Sequence, residues 1–396
     1  MTDTPLRNIR VLDLSRVLAG PWCTQLLADL GAEVIKIEKP GEGDDTRAWG
    51  PPYFKTDSGG LSAYYISCNR GKKSITVDIS TAEGKKIVQD LAAKSDVLIE
   101  NYKVGGLKKY GLDYESVKKI NSKIIYCSIT GFGQDGPMAQ KAGYDFMIQG
   151  MCGLMSVTGE PAGMPMKDGV ALVDVMTGMY ASSAILSALF ARQNTDKGTH
   201  IDMALLDVGV AMMANQALNY LVSGKVPQRL GNAHPNIVPY QAFATKDGHV
   251  ILAIGNDDQF ARFAKACGKP EWIESPYFAT NEARVRNRND VVGSIGVLMH
   301  QKTTAEWIKI LETENIPGGP INDLGQVFQE PQVKHRGTQL ELKGVPQIRT
   351  PVRMSGVDIG AGTPPPHLGA DTDQVLKDVL GYDAAQIASL KSKGAV

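Results

Sequence analysis

The first 130 residues alternate short strand-like apolar runs with helical ones, and this alternation limits the possible fold more than any other feature of the chain. IRVLDLS is followed by the helical TQLLADLG, then by EVIKIEK, SITVDIS, the helical AEGKKIVQDLAAK, DVLIENY and KIIYCSIT. Parallel strands need crossover connections, so strand and helix in turn predict a parallel sheet with helices on its faces, an α/β, Rossmann-like layout. A stretch rich in Gly, Met and Ala runs from Gly143 to about Ser223. Within it VMTGMYASSAILSALFARQ is expected to form a buried helix of small residues packed close to its neighbours. From Gly224 the pattern changes. VPYQAFATKDGHVILAIGNDDQF joins a Lys-Asp-Gly turn, flanking strand-like runs and a following helix, which opens a smaller α+β domain ending near Glu330. The expected division is residues 1–223 with 331–396 as the large domain and 224–330 as the small one. The large domain closes on an extended segment and C-terminal helices in GTPPPHLGADTDQVLKDVLGYDAAQIASL.

A chain of 396 residues can bury one large core and a smaller one. Its 42 basic and 42 acidic residues cancel, which argues against nucleic acid or a membrane surface as the main partner, so an anionic ligand must meet a local cluster of cations. No segment is uniformly apolar for the roughly 20 residues of a membrane span, and MTDTPLRNIRVLDLS lacks the basic and then apolar blocks of a secretory signal. Cytoplasm is the expected compartment. Cys23, Cys68, Cys127, Cys152 and Cys267 are an odd number, far apart and without a Cys-x-x-Cys pair, so no disulfide framework is expected. The six histidines are equally scattered, and no metal is expected.

Three motifs invite chemistry. Gly131, Gly133 and Gly136 spell Gly-x-Gly-x-x-Gly after a predicted strand, but Pro137 and the polar MAQKAG follow where a nucleotide-binding helix would start, so a dinucleotide site is not expected. Asp174, in KDGVALVDVMTGMY, stands between a short apolar run and the small-residue helix. Its position suits an N-cap, and equally a carboxylate that the same helix N–H groups keep ionised for use as a nucleophile. Basic residues recur beside predicted strands: Lys39 after EVIKIE, Arg70, Lys72 and Lys73 before SITVDIS, and Lys103, Lys108 and Lys109 after DVLIEN. Loops on one edge of a parallel sheet converge at the carboxyl ends of its strands, so together these cations predict a nucleotide phosphate site.

With those residues in view the chain resembles the class III CoA-transferases, the family of formyl-CoA and carnitine CoA-transferases. VLDLSRVLAGPWCTQLLADLGAEVIKIEKPGEGDDTR resembles the family's N-terminal signature, and NRGKKSITVDI, DVLIENY, ITGFGQDGP and GYDFMIQG follow in family order. The resemblance implies that Asp174 is the catalytic aspartate and that it also caps its helix. It implies that Val17, Lys39, Lys73, Asn101, Tyr102 and Lys109 line the CoA site, and that Trp49, Tyr64 and Tyr144 surround the reacting acyl group. Leu18 replaces the Gln found in formyl-CoA transferase, which argues against a small oxalate-like acceptor, and Lys103 stands where many relatives carry Arg, without its bidentate grip on phosphate. Gly255 and Asn256, in IGNDDQF, match the glycine-containing loop that covers the site in relatives. The same Asn reads equally as an Asx turn capping the next helix.

The resemblance further implies an interlocked homodimer and a reaction with no resident cofactor, CoA thioester and free carboxylate being the substrates. CoA moves through an aspartyl anhydride and an aspartyl-CoA thioester on Asp174. RLGNAHPNIVPYQAF and IGNDDQF look most like the branch that uses dicarboxylates, with succinyl-CoA as donor. Arg16, Arg47 and His234 are candidates for the second carboxylate, and Asp145 for resolving an intermediate or pairing with a lysine. An α-methylacyl-CoA racemase of the same fold is the rival reading. It needs a His where Tyr144 stands, and a phenol with a reference pKa near 10 is a poor base at neutral pH. A CoA-binding protein without activity would have no use for Asp174.

Overall fold

A computed structural model describes residues 4–56, 59–357, 359–360 and 362–396. The chain divides into two compact units. The first comprises the stretch up to Leu154, Asp168–Val222 and Pro331–Val396; the second comprises Met155–Lys167 and Ser223–Glu330. The sequence expectation drew its boundaries at 223/224 and 330/331 and kept Met155–Lys167 in the large domain. That short stretch groups instead with the second unit, where Gly231 N donates to Gly159 O at 3.1 Å and the Arg229 guanidinium donates to the carbonyls of Glu160 and Gly163.

A six-stranded sheet organises the first unit: β1 (Arg10–Asp13), β2 (Glu33–Glu38), β3 (Lys72–Thr76), β4 (Val97–Glu100), β5 (Ile125–Thr130) and β6 (Thr199–Ala204). They run parallel in the order β3-β2-β1-β4-β5-β6. This is the doubly wound arrangement, whose strand order reverses between β1 and β4, and ligands of such sheets bind outside the carboxyl ends at that switch point. Five strands coincide with the expected runs. β6 was not expected, because THIDMA on the sheet edge carries His200 and Asp202 on one face and shows no apolar run.

Side chains alternate across the strands, so each face of the sheet buries its own core. One face holds Val11, Val34, Val97, Ile99, Ile125 and Cys127 against α1 (Ala19–Asp29) and the long helix of small residues. The other holds Leu12, Ile35, Ile75, Leu98 and Tyr126. It packs against Ile87, Val88 and Leu91 of α2 (Ala82–Ala93) and against Val375, Leu376 and Val379 of the C-terminal helix Thr372–Leu380. After β5 come the short α3 (Asp145–Met151) and, after a further single turn at Leu154–Val157, α4 (Leu172–Thr195). α4 is the small-residue helix. It is buried along Val173, Asp174, Thr177, Gly178, Ala181, Ser182, Ile185 and Leu189, but only there. Met179, Tyr180 and Phe190 face outward, so the expectation of a wholly buried helix is corrected to a half-buried one.

Within the second unit, β7 (Tyr240–Ala244) and β8 (His249–Ala253) form the expected hairpin, which β9 (Gly318–Pro320) completes as an antiparallel sheet. Val250, Leu252, Phe260, Phe263, Ile295 and Trp307 make its core.

Candidate active site

Asp174 is the third residue of α4. The N-cap position belongs to Ala171, which has no side-chain cap, so the reading of Asp174 as the cap is corrected. The capping carboxylate comes from the start of α3. Asp145 Oδ1 accepts the backbone N–H groups of Val173 at 2.9 Å and of Asp174 at 3.2 Å, while Asp145 Oδ2 accepts from Gln149 Nε2 at 2.7 Å. Gln149 is fully buried, and its remaining polar atoms hold the approach to α4: its Nε2 donates to Val170 O, and its Oε1 accepts from Asp168 N. A helix start has free N–H groups that attract an anion. Here the anion is Asp145, which leaves the Asp174 carboxylate unused by the helix.

The consequence is electrostatic. Asp174 is 9% exposed, and no side chain among the described residues donates a hydrogen bond to its carboxylate. Burial, and after it the negative charge of Asp145, pushes its pKa up to about 7. The expectation that helix N–H groups hold this carboxylate firmly ionised is thereby reversed, since desolvation and a like charge both favour the protonated form. Asp145→Asn keeps an oxygen to accept the two N–H groups and removes the charge, so the Asp174 pKa falls and the acid limb of the pH–rate profile moves to lower pH. Steady-state rates between about pH 5 and 8 check this; an unmoved limb rules out electrostatic control by Asp145.

Tyr64 lies within the field of the same carboxylates. Its hydroxyl is pushed up to about 12, chiefly by burial and then by Asp174, with smaller contributions from Cys68 and Asp145. The Trp49 ring meets the Tyr64 ring edge-on, centroids 5.1 Å apart. Trp49, Tyr64 and Asp174 therefore share a neighbourhood, and Tyr144 is the chain neighbour of Asp145. The Tyr144 side chain is 66% exposed and caps nothing.

Of the predicted CoA residues, Val17 follows β1, and Asn101 and Tyr102 follow β4, on the two strands that flank the switch point. Asn101 follows β4, and its amide clasps the loop after β1 from both sides: Nδ2 donates to Arg16 O at 2.7 Å, and Oδ1 accepts from Arg16 N at 3.0 Å. The Arg16 guanidinium lies 5.6 Å over the Tyr102 ring and pairs with Asp45 at 3.1 Å. Val17 adopts φ +72°, a left-handed conformation that costs a β-branched residue roughly 1–3 kcal/mol. Exposed Lys39 follows β2 and pairs with Glu42, while exposed Lys109 lies over the ring of Tyr110. Lys73 breaks the expected convergence. It is the second residue of β3, at the amino end of the sheet, and pairs at 2.7 Å with Glu33, the first residue of β2. Neighbouring Arg70 and Lys72 are buried and paired with Asp29 and Asp13.

Of the residues considered for a second carboxylate, Arg47 is fully engaged: it grips both oxygens of Glu38, donates to the Tyr65 hydroxyl and to Pro366 O, and stacks on the Tyr65 ring. Arg16 keeps an exposed guanidinium. His234 belongs to the second unit, where it packs against Tyr240. Gly255 and Asn256 belong there too. Asn256 Oδ1 accepts from Gln259 N and caps the helix Asp257–Ala266, while Gly255 N donates to Gln259 Oε1, so the Asx-cap reading describes the Asn256 side chain.

Three residues of this region went unread. Lys36 puts a charge in the middle of an apolar, fully covered strand, which by itself announces a buried partner, and that partner is Asp44 at 2.8 Å. Burial works against the Asp44 charge, but the Lys36 ammonium and hydrogen bonds from Thr46 outweigh it and hold the carboxyl at about 2. Gln149 carried one weak signal, its place four residues after Asp145 on one helix face.

A profile of the CoA-transferase family III matches residues 6–372. The succinate–glutarate CoA-transferase of Agrobacterium fabrum is 50% identical over 391 residues, covering 96% of this chain and 98% of that protein. The human succinyl-CoA:glutarate CoA-transferase is 46% identical, covering 99% and 90%. The crystal structure of a CaiB/BaiF family protein from Brucella suis superposes with a TM-score of 0.86 at 50% identity, covering 95% of this chain and all of that one.

Proposed function

The chain belongs to CoA-transferase family III and is a CoA-transferase, and from that premise we propose that it moves CoA from succinyl-CoA to glutarate or a similar diacid through acyl intermediates on Asp174. The observation that carries the reading is the state of that carboxylate. It is buried, raised to about 7 and left without a donor, because Asp145 takes the helix N–H groups. A carboxylate of this kind is poorly solvated and close to half ionised at neutral pH, which suits a nucleophile that must attack and later leave.

Asp174 attacks the thioester carbonyl, forming a mixed anhydride as the C–S bond breaks and CoA thiolate departs. The thiolate attacks the aspartyl carbonyl, releasing the donor carboxylate and leaving an aspartyl-CoA thioester. The acceptor carboxylate then attacks that thioester, regenerating an anhydride and the thiolate. Attack of the thiolate on the acceptor's acyl carbon frees Asp174 and completes the new acyl-CoA. Each bond broken carries a good leaving group, and no electron changes hands. The choice of a diacid rests on the relatives named for succinate and glutarate. CoA lies along the loops of Arg16–Val17 and Asn101–Tyr102 at the switch point, with Lys39 and Lys109 as cations for its phosphates.

The enzyme acts as a homodimer. α4 is long and apolar enough to cross a membrane, yet its inner side carries Asp174 and packs on the sheet. Its outward Met179, Tyr180 and Phe190 are exposed, as are Leu218, Leu221 and Val222 of the helix Ala214–Ser223, and exposed apolar side chains of this kind are what a second chain would cover.

Incubation with succinyl-CoA and a panel of oxalate, glutarate and itaconate, followed by mass spectrometry of the CoA products, tests the reading. Glutaryl-CoA and free succinate are expected, with little oxalyl-CoA and no product from Asp174→Ala. Transfer to oxalate alone overturns the choice of a glutarate-like acceptor, and full transfer by the variant overturns the relay.

A further inference from the structure

The loop Ser15–Val17 leaves the carboxyl end of β1 at the switch point and runs into Ala19, whose carbonyl lies against Gly178, one turn beyond Asp174. Every backbone polar group in it is taken by a side chain. Asp13 accepts Ser15 N, the Lys36 ammonium donates to Ser15 O, Asn101 takes both groups of Arg16, Asp44 Oδ1 accepts Val17 N at 3.2 Å, and the Cys68 thiol donates to Val17 O. A strained conformation persists only where its surroundings over-determine it, and such strain collects where a ligand must be met by a surface already in shape.

Asp44 joins this strap to the aromatic wall. Besides Val17 N, its Oδ1 accepts Thr46 N at 3.0 Å and Thr46 Oγ1 at 2.8 Å, opening the 3-10 turn Asp45–Ala48 that delivers Trp49. Its Oδ2 pairs with Lys36, both side chains being wholly buried. A buried ion pair is a weak source of stability, since desolvation cancels much of its attraction and an apolar pair of equal volume often serves as well. An apolar pair cannot accept the Val17 and Thr46 N–H groups together. On the CoA-transferase reading above, we infer that Asp44 is a positioning residue, fixing the strained Val17 strap as a ready-made grip on acyl-CoA and setting Trp49 in register with it.

Two full-length variants test this, each assayed at a temperature where circular dichroism shows it folded. Val17→Gly accepts φ +72° without strain, and that relief roughly offsets the greater freedom glycine gives the unfolded chain, so Tm stays within a few degrees of the parent. Its KM for acyl-CoA is expected to rise about tenfold while kcat stays within about threefold, because the grip is no longer preorganised. Asp44→Asn keeps an accepting oxygen and loses the hold of Lys36. Its KM is expected to rise by about tenfold for acyl-CoA and by a few-fold for the acceptor. A role in folding alone would lower Tm and leave both constants at parent values, and parent constants in folded Asp44→Asn overturn the assignment. If that variant does not fold, parent KM in Val17→Gly overturns it. Asp174→Ala, assayed alongside for turnover and for CoA binding, keeps the two ideas apart: its full activity would sink the relay, while the KM values still decide the strap.

Discussion

Asp174→Asn is expected to lose at least about 10³-fold in CoA transfer and to gain stability in the same step. The loss follows from the relay, since an amide cannot form the anhydride. The gain follows from linkage. With a folded pKa of about 7 against roughly 3.9 for an unfolded aspartate, the native parent binds more protons than the unfolded chain between about pH 4 and 7. Parent stability therefore falls as pH rises through that window. The asparagine variant has no carboxylate to desolvate, so its advantage is absent below about pH 4 and full above about pH 7, where it reaches the order of 3 kcal/mol. Denaturant unfolding at pH 4.5 and pH 8 measures it. Equal stability differences at the two pH values would mean that the carboxylate is not strained by burial, and the case for a poised nucleophile would fall with it.

Gly178→Val is expected to cost on the order of 3 kcal/mol or more and to remove activity through the same contact. Glycine within a helix usually lowers stability by about 1 kcal/mol relative to alanine, so propensity alone favours replacement. Packing opposes it. A Cβ at this position would meet Ala19 O at 2.7 Å and the Trp22 side chain at 3.1 Å, and the first of these is backbone at the start of α1. Overpacking a tight core costs about 1–3 kcal/mol even where side chains can move, and a carbonyl fixed in a helix cannot. Gly178→Ala therefore destabilises despite its better propensity, and the valine variant more so. Thermal unfolding of the two variants orders them. An alanine variant more stable than the parent would show that α1 and α4 can separate freely, contrary to the close approach on which the placing of Asp174 beside the Val17 strap depends.

The parallel sheet was legible because its signal is local and repeated. EVIKIE, DVLIEN and KIIYCSIT carry the near-continuous apolar runs of strands covered on both faces, and the turn-and-helix segments between them leave only crossover connections. β6 escaped because an edge strand with one polar face produces no such run. The small-residue character of α4 was legible, and its close approach to α1 at Gly178 is what that composition allows. Its outward Met179, Tyr180 and Phe190 were misjudged, since composition does not tell an apolar side chain that faces the core from one left exposed.

The sequence by itself determined the class of the sheet, the identity of Asp174 as the residue to examine, and the collection of Arg16, Asn101 and Tyr102 on loops after strands, because each of these depends on residue type and order along the chain. Only the tertiary structure decided how Asp174 is charged. Asp145, more than 20 residues upstream and held by a hydrogen bond from Gln149, takes the N–H groups at the start of the Asp174 helix. It also paired Lys73, which stands before its strand rather than after it, with Glu33 at the amino end of the sheet. The physical reason is common to both: the state of a charge depends on the groups within a few ångströms and on the water they exclude, and those neighbours come from distant segments that no local pattern brings together.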